Sequence, residues 1–277
     1  MAPSARLGGR TVEALLFDYG LTLVSFTRSS EALLRAHEEV IRRLRAAGVG
    51  PLPSAATLLA EVHDRVENAV ARHEATGALR EIDAVVEERH AYAALGIRLS
   101  DELSEVVAAL VQQAWWEGVA VSPATVATLE ELRRRGLRLG ICSNAPYRAV
   151  GLRLQLAHLG LAGLFDCVTF SSEIGWRKPA PQIFAAALGA LGVEASRCAM
   201  VGDRRREDIA GARAAGMASI RTREHRDDPG PGDADAVINR LSDLVELLFP
   251  PQNRGNRGSV VGDDNIPLTR GIKQEAR

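Results

Sequence analysis

Aromatic side chains are scarce in this sequence, 4% of 277 residues, and there are only three cysteines. No stretch reaches the ~18 consecutive apolar residues of a membrane-spanning helix. The N-terminal segment carries Arg6 and Arg10 but no long apolar run of the kind a secretory leader needs. A soluble, cytoplasmic protein with no membrane partner is expected. Few aromatics against 46% hydrophobic content imply an interior of Leu, Val and Ala, which favours aliphatic helix-on-sheet packing. Cys142, Cys167 and Cys198 each fall in or beside an apolar run without C-x-x-C spacing, and read as buried thiols of a reducing compartment. A net charge of −1 leaves no global attraction to nucleic acid. The basic run "RRRGLRLG" (133–140) sits between a helical and a strand pattern, where it complements a helix dipole.

What is present is a rhythm of short apolar runs: "VEALLF" (12–17), "LRLGIC" (137–142), "CVTF" (167–170), "CAMVG" (198–202) and "ASIRT" (218–222), with a weaker "DAVI" (235–238). Helical patterns lie between most of them, which predicts an α/β fold with a parallel sheet. The first gap breaks the rhythm and contains no strand. It holds four helical patterns: one capped by Ser30 and stopped by Gly48, one from Ser54 to about His73, one from about Leu79 to Leu95, and one from Ser100 to about Trp116. An all-helical insert over 25–118 is therefore expected, within an α/β core formed by 1–24 and 119–249. Ser122-Pro123 reopens the core as an N-cap followed by proline at the first helical position. Residues 250–277 have little to bury and many turn formers, so they read as a disordered tail.

In open parallel sheets ligands sit beyond the carboxyl ends of the strands. Here those ends are polar: Asp18 after the first run, Ser143 and Asn144 after the second, Lys178 shortly after the third, and Asp203 with Asp208 after the fourth. Converging carboxylates repel one another unless a cation sits among them, and all-oxygen ligation suits Mg²⁺. A phosphate would complete the set, held by the Ser143 hydroxyl, backbone N–H groups and the Lys178 ammonium. Asp18 would then be a nucleophile that forms an aspartyl-phosphate, which water later hydrolyses. Arg177, beside Lys178, is expected to point outward, and the 204–207 run "RRRE" to be exposed. The histidines of the insert and the pair Trp115-Trp116 read as surface or packing residues, with the tryptophans closing the insert against the core.

In this order the segments resemble the four motifs of the haloacid dehalogenase superfamily. "LLFDYGLTLV" is similar to motif I, "GICSNA" to motif II, "EIGWRKPAPQIF" to motif III and "AMVGDRRREDIAGARAAGM" to motif IV, over about residues 11–222. The resemblance implies a Rossmann-like core with a helical cap and a Mg²⁺-dependent phosphohydrolase of a small phosphorylated metabolite, acting as a monomer or homodimer. It implies Asp18 as nucleophile, Ser143 and the Asn144 amide on phosphoryl oxygens, and Lys178 offsetting charge at Asp18. Asp18, the Gly20 carbonyl and Asp203 would hold the metal, with Asp208 binding it directly or through water. Thr22 would steady the turn and make at most a minor phosphate contact. The departure is Gly20, where phosphatases of the superfamily usually carry a second aspartate as general acid and base, a function worth ~10²–10⁴-fold. A slow enzyme, a good leaving group or an acid from the cap would each be compatible. Two other readings follow from the same gap. One is a metal-independent 2-haloacid dehalogenase, whose branch has a tyrosine-bearing motif I and needs no metal aspartates. The other is a HAD-like binding protein whose catalysis has decayed.

Overall fold

The computed structural model describes residues 4–228 and 234–251. Beyond Pro251 the expected tail lies outside the described residues. Six strands form one sheet: β1 (Ala14–Phe17), β2 (Arg138–Ser143), β3 (Cys167–Phe170), β4 (Cys198–Gly202), β5 (Ala218–Thr222) and β6 (Ala236–Ile238). Their order is β6-β5-β4-β1-β2-β3, and every pairing is parallel. This is the α/β arrangement the apolar runs predict. β1 is buried at every position because helices cover both faces. Leu15 and Phe17 pack with Leu139, Ile141 and Val201 on one face, while Ala14 and Leu16 pack with Cys142, Met200 and Phe184 on the other.

The chain leaves β1 for β2 on one side and returns to β4 on the other, so the order reverses at β1. Ligand crevices open at such points. Phe17 is in register with Ile141 and Val201, which places Asp18, Ser143 and Asp203 together just past the strand ends.

Among the described residues, 30–114 contribute nothing to this sheet. They form the helix Ser30–Ala46, the segments Ala55–Leu58, Leu59–Asp64 and Arg65–Ala75 in direct succession, and the helices Ala84–Ala94 and Asp101–Ala114. Val40, Leu44, Leu58, Val62, Tyr92 and Val107 give them an apolar cluster of their own. The chain enters and leaves through a short antiparallel pairing of Ser25–Phe26 with Val119–Ala120.

Two boundaries differ from expectation. Ser29, not Ser30, caps the first helix, its Oγ accepting from Ala32 N at 3.2 Å. The third helix starts at Ala84 rather than near Leu79, because the Asp83 carboxylate caps it by accepting from Val85 N and Val86 N at 3.0 and 3.1 Å. Residues 79–82 are extended instead and lie along the core loop before Lys178: Arg177 N donates to Leu79 O at 2.9 Å and Glu81 N to Gly175 O at 3.1 Å.

Candidate active site

Asp18 remains in the ladder through its N–H, which donates to Val201 O at 2.9 Å, while its side chain leaves the sheet. Ser143 Oγ and Lys178 Nζ both donate to Asp18 Oδ1 at 2.8 Å. That convergence leaves Oδ2 for other work. Lys178, 2% exposed, also donates to Asp208 Oδ1 at 2.6 Å. Burial alone would lower the lysine pKa, but Asp18 and Asp208 together raise it well above its ordinary value. The ammonium therefore stays charged. Asn144 clamps the Lys178 peptide from both sides, its Oδ1 accepting from Lys178 N at 2.7 Å and its Nδ2 donating to Lys178 O at 3.1 Å.

Asp203 is fully buried. One carboxylate oxygen from each of Asp18, Asp203 and Asp208 lies within 4.8 Å of the others. Burial first, then repulsion from Asp18 and Asp208, pushes Asp203 up to about 7. Burial also raises Asp208, although Lys178 opposes it. Asp203 Oδ2 has no hydrogen-bond partner, though Arg226 Nη1 lies 3.1 Å away. Three buried carboxylates brought this close, two of them raised, form a donor set that fits a hard divalent cation. Both Asp208 oxygens are already engaged, Oδ1 by Lys178 and Oδ2 by Arg204 N at 2.9 Å. Gly202 makes the approach possible, because a Cβ there would lie 2.3 Å from Asp208 Cγ.

Thr22 is fully buried, and its hydroxyl donates to Asp203 Oδ1 at 3.3 Å, which orients that carboxylate. Gly20 has its neighbours bridged around it, Val24 N to Tyr19 O and Leu21 N to Val24 O, which leaves its own carbonyl unused by that turn. A Cβ at Gly20 would stand 2.8 Å from Phe26 Cε2. The place of the missing acid is filled by an aromatic edge.

Arg177 is corrected. It is 3% exposed and points inward, pairing with Glu81 Oε1 at 2.8 Å and Glu74 Oε1 at 2.7 Å. Glu81 Oε2 accepts from Ser171 Oγ at 2.5 Å, and that hydroxyl accepts from Ala145 N at 2.7 Å. The Arg80 guanidinium lies 3.9 Å over the Trp176 ring. Residues 74–82 thus strap the insert to the loop that carries Lys178. Arg204, expected to be exposed, is partly buried and lines the cavity. Cys142 is pushed up to about 12 by burial and is no nucleophile.

A cavity of about 470 Å³ spans the site and the insert, reaching Asp18, Ser143, Asn144, Lys178 and Asp208 on one side. His37 and His63 line it from the insert; burial lowers both, His63 to about 4. Trp116 stacks on His158 of the core at 5.0 Å between ring centroids, whereas Trp115 packs on His63 at 5.8 Å within the insert, so only one of the pair closes against the core. Phe26, Glu81 and Tyr92 went unmarked in the sequence, because no motif or period singles them out.

A family model described as haloacid dehalogenase-like hydrolase matches residues 12–216. The chain belongs to this family. Among curated relatives, glyceraldehyde 3-phosphate phosphatase of Methanopyrus kandleri is 30% identical over 86% of this chain and 97% of its own length. Several other curated phosphatases are matched over only 49–58% of their own length. Among solved structures, a HAD phosphatase from Thermococcus onnurineus is 25% identical with a TM-score of 0.54, covering 85% of this chain and 97% of its own. A 2-haloacid dehalogenase from Pseudomonas syringae is 26% identical with a TM-score of 0.57 over the same shares. Both chemistries are thus represented among the structural neighbours of this HAD-like hydrolase. No described helix is long and apolar enough to cross a membrane.

Proposed function

We propose that this chain is a Mg²⁺-dependent phosphohydrolase of a small phosphorylated metabolite, working through an aspartyl-phosphate on Asp18. The observation that carries this reading is the buried trio Asp18, Asp203 and Asp208 beside the Lys178 ammonium. A dehalogenase branch that needs no metal has no use for such a trio. Relatives named as phosphatases for glyceraldehyde 3-phosphate, phosphoserine and phosphoglycolate support the same choice.

In this mechanism Asp18, Asp203 and the Gly20 carbonyl would hold the ion, with Asp208 contacting it through water because both its oxygens are engaged. When bound, Mg²⁺ supplies charge neutralisation at the phosphoryl oxygens. Asp18 Oδ2 attacks phosphorus, and the bond to the alcohol oxygen breaks. Ser143 fixes Asp18 through Oδ1, the Asn144 N–H binds a non-bridging oxygen, and Lys178 offsets the growing negative charge. Position 20 offers no acid, so the departing alkoxide takes its proton from water and good leaving groups are favoured. Water then hydrolyses the acyl phosphate, releasing inorganic phosphate and restoring the Asp18 carboxylate.

The test is a screen of metabolite phosphates with and without Mg²⁺, run beside Asp18→Asn. Phosphate release that needs both Mg²⁺ and Asp18 is expected. Halide release from 2-chloropropionate in EDTA, with every phosphate ester left intact, would replace this reading with dehalogenation.

A further inference from the structure

The wall that the insert turns toward the site is built from Val62, Val66, Val70, Ala84, Val111 and Trp115. Its acids are already engaged. Glu67 accepts from Tyr147 Oη at 3.0 and 2.9 Å, Glu74 pairs with Arg177 at 2.7 Å, and Glu88 pairs with Arg148 at 2.8 Å. The cations have acidic neighbours too: among the described lining residues, Lys178 lies 2.8 and 2.6 Å from Asp18 and Asp208, Arg148 2.8 Å from Glu88, Arg226 3.1 Å from Asp203 and Arg204, more loosely, 3.8 Å from Glu74. A substrate bearing its own carboxylate or second phosphate would meet carboxylates and valines and no spare cation. Desolvating that second anion there is strongly unfavourable.

Of the buried polar atoms of the insert without partners among the described residues, two sit on residues that line the cavity, Tyr92 Oη and His63 Nε2, 1% and 7% exposed. A buried polar atom with no partner is costly, and a ligand group that meets it relieves the cost. The volume, about 470 Å³, falls in the range that encloses a drug-sized molecule, so a triose phosphate would leave most of the apolar wall against water.

We propose that the cavity selects phosphate monoesters of uncharged, largely apolar alcohols, larger than a triose, with a hydrogen-bonding group at the far end that meets Tyr92 and His63. This rests on the phosphohydrolase reading and names its substrate class. Val66 and Val70 set the preference by contact, and the absence of a spare cation excludes anionic leaving groups.

The test uses the full chain with Mg²⁺ on ethyl, hexyl, octyl and 6-hydroxyhexyl phosphate, whose leaving groups differ little in basicity, beside phosphoserine and phosphoglycolate. Each buried methylene is worth about fourfold, so kcat/KM should rise on the order of 10²-fold from ethyl to hexyl phosphate. Val70→Asp should flatten that rise and the milder Val70→Thr should reduce it, with thermal unfolding reporting that each variant is folded. Tyr92→Phe should lower the ratio of hydroxyhexyl to hexyl turnover by about tenfold. A flat chain-length series, or faster turnover of phosphoserine or phosphoglycolate than of hexyl phosphate, overturns the proposal and leaves the phosphohydrolase reading standing. Calorimetric titration of Asp18→Asn with hexyl phosphate and with phosphoserine separates the two claims. Tighter hexyl phosphate binding supports the substrate class even if no ester is hydrolysed, and equal or weaker binding overturns it.

Discussion

The core side of the cavity concentrates charge, with three carboxylates, an ammonium and a hydroxyl from four strand ends, while the insert side presents valines and pairs off every acid it carries. The two walls also differ in how they are held. Core groups stand on parallel strands whose register fixes them, whereas insert groups depend on helix packing around Val62 and Tyr92 and on the strap at 74–82. The charge of the site is thereby tied to the sheet and its apolar lining to the insert, and each can be perturbed separately.

The largest expected effect tests the core wall alone. Asp18→Asn should lower turnover on the order of 10⁴–10⁶-fold, the scale of losing a covalent nucleophile, measured as phosphate release with fold checked by circular dichroism. Next is the point where the walls meet. Gly20→Asp by itself drives a Cβ into Phe26, so the acid should act only in the pair Gly20→Asp/Phe26→Ala, with a gain of about 10²-fold on alkyl phosphates and little on aryl phosphates. Equal gains in the single and double variants would show that Phe26 yields freely.

The strap comes third. Arg177→Met leaves Glu81, whose side chain is 2% exposed, without its cation, and should cost about 3–5 kcal/mol in denaturant unfolding. Adding Glu81→Gln should cost less than the sum of the two single changes. The smallest effect is in pH. Asp203 and Asp208 are raised in the folded state, so the native protein binds more protons than the unfolded chain between the ordinary carboxylate range near 4 and about 7. Metal-free stability should therefore fall as pH rises through that window, and Mg²⁺ should reverse the loss at its upper end. A thermal-shift series at both ends, with and without Mg²⁺, reads it directly.

The core wall was legible in the sequence because its polar residues directly follow an apolar run or come within eight residues of one, and parallel strands bring such positions to one edge. Asp18, Ser143, Lys178, Asp203 and Asp208 meet as their placement implies. Arg177 went astray for a different reason, and the partner of Thr22 was missed for the same one. Each sits beside a recognised position, but its partner, Asp203 or Glu81, is more than 90 residues away, and nothing local announces it. The helix expected from Leu79 was misread because "LREID" alternates well enough to join the following period, whereas Asp83 caps the helix there and the preceding residues pair with Gly175 and Arg177. Phe26 has no period to betray it, since its role is set by the space left at Gly20.

The strap also bears on how freely the insert can be exchanged. Its ends lie side by side in the Ser25–Phe26 and Val119–Ala120 pairing, which makes it look like a cassette that could be lifted out and replaced. Arg177 forbids that. Any graft that brings no acid to the places of Glu74 and Glu81 would bury an unpaired guanidinium one residue from Lys178, so recombination at the hinge must carry these distant positions with it.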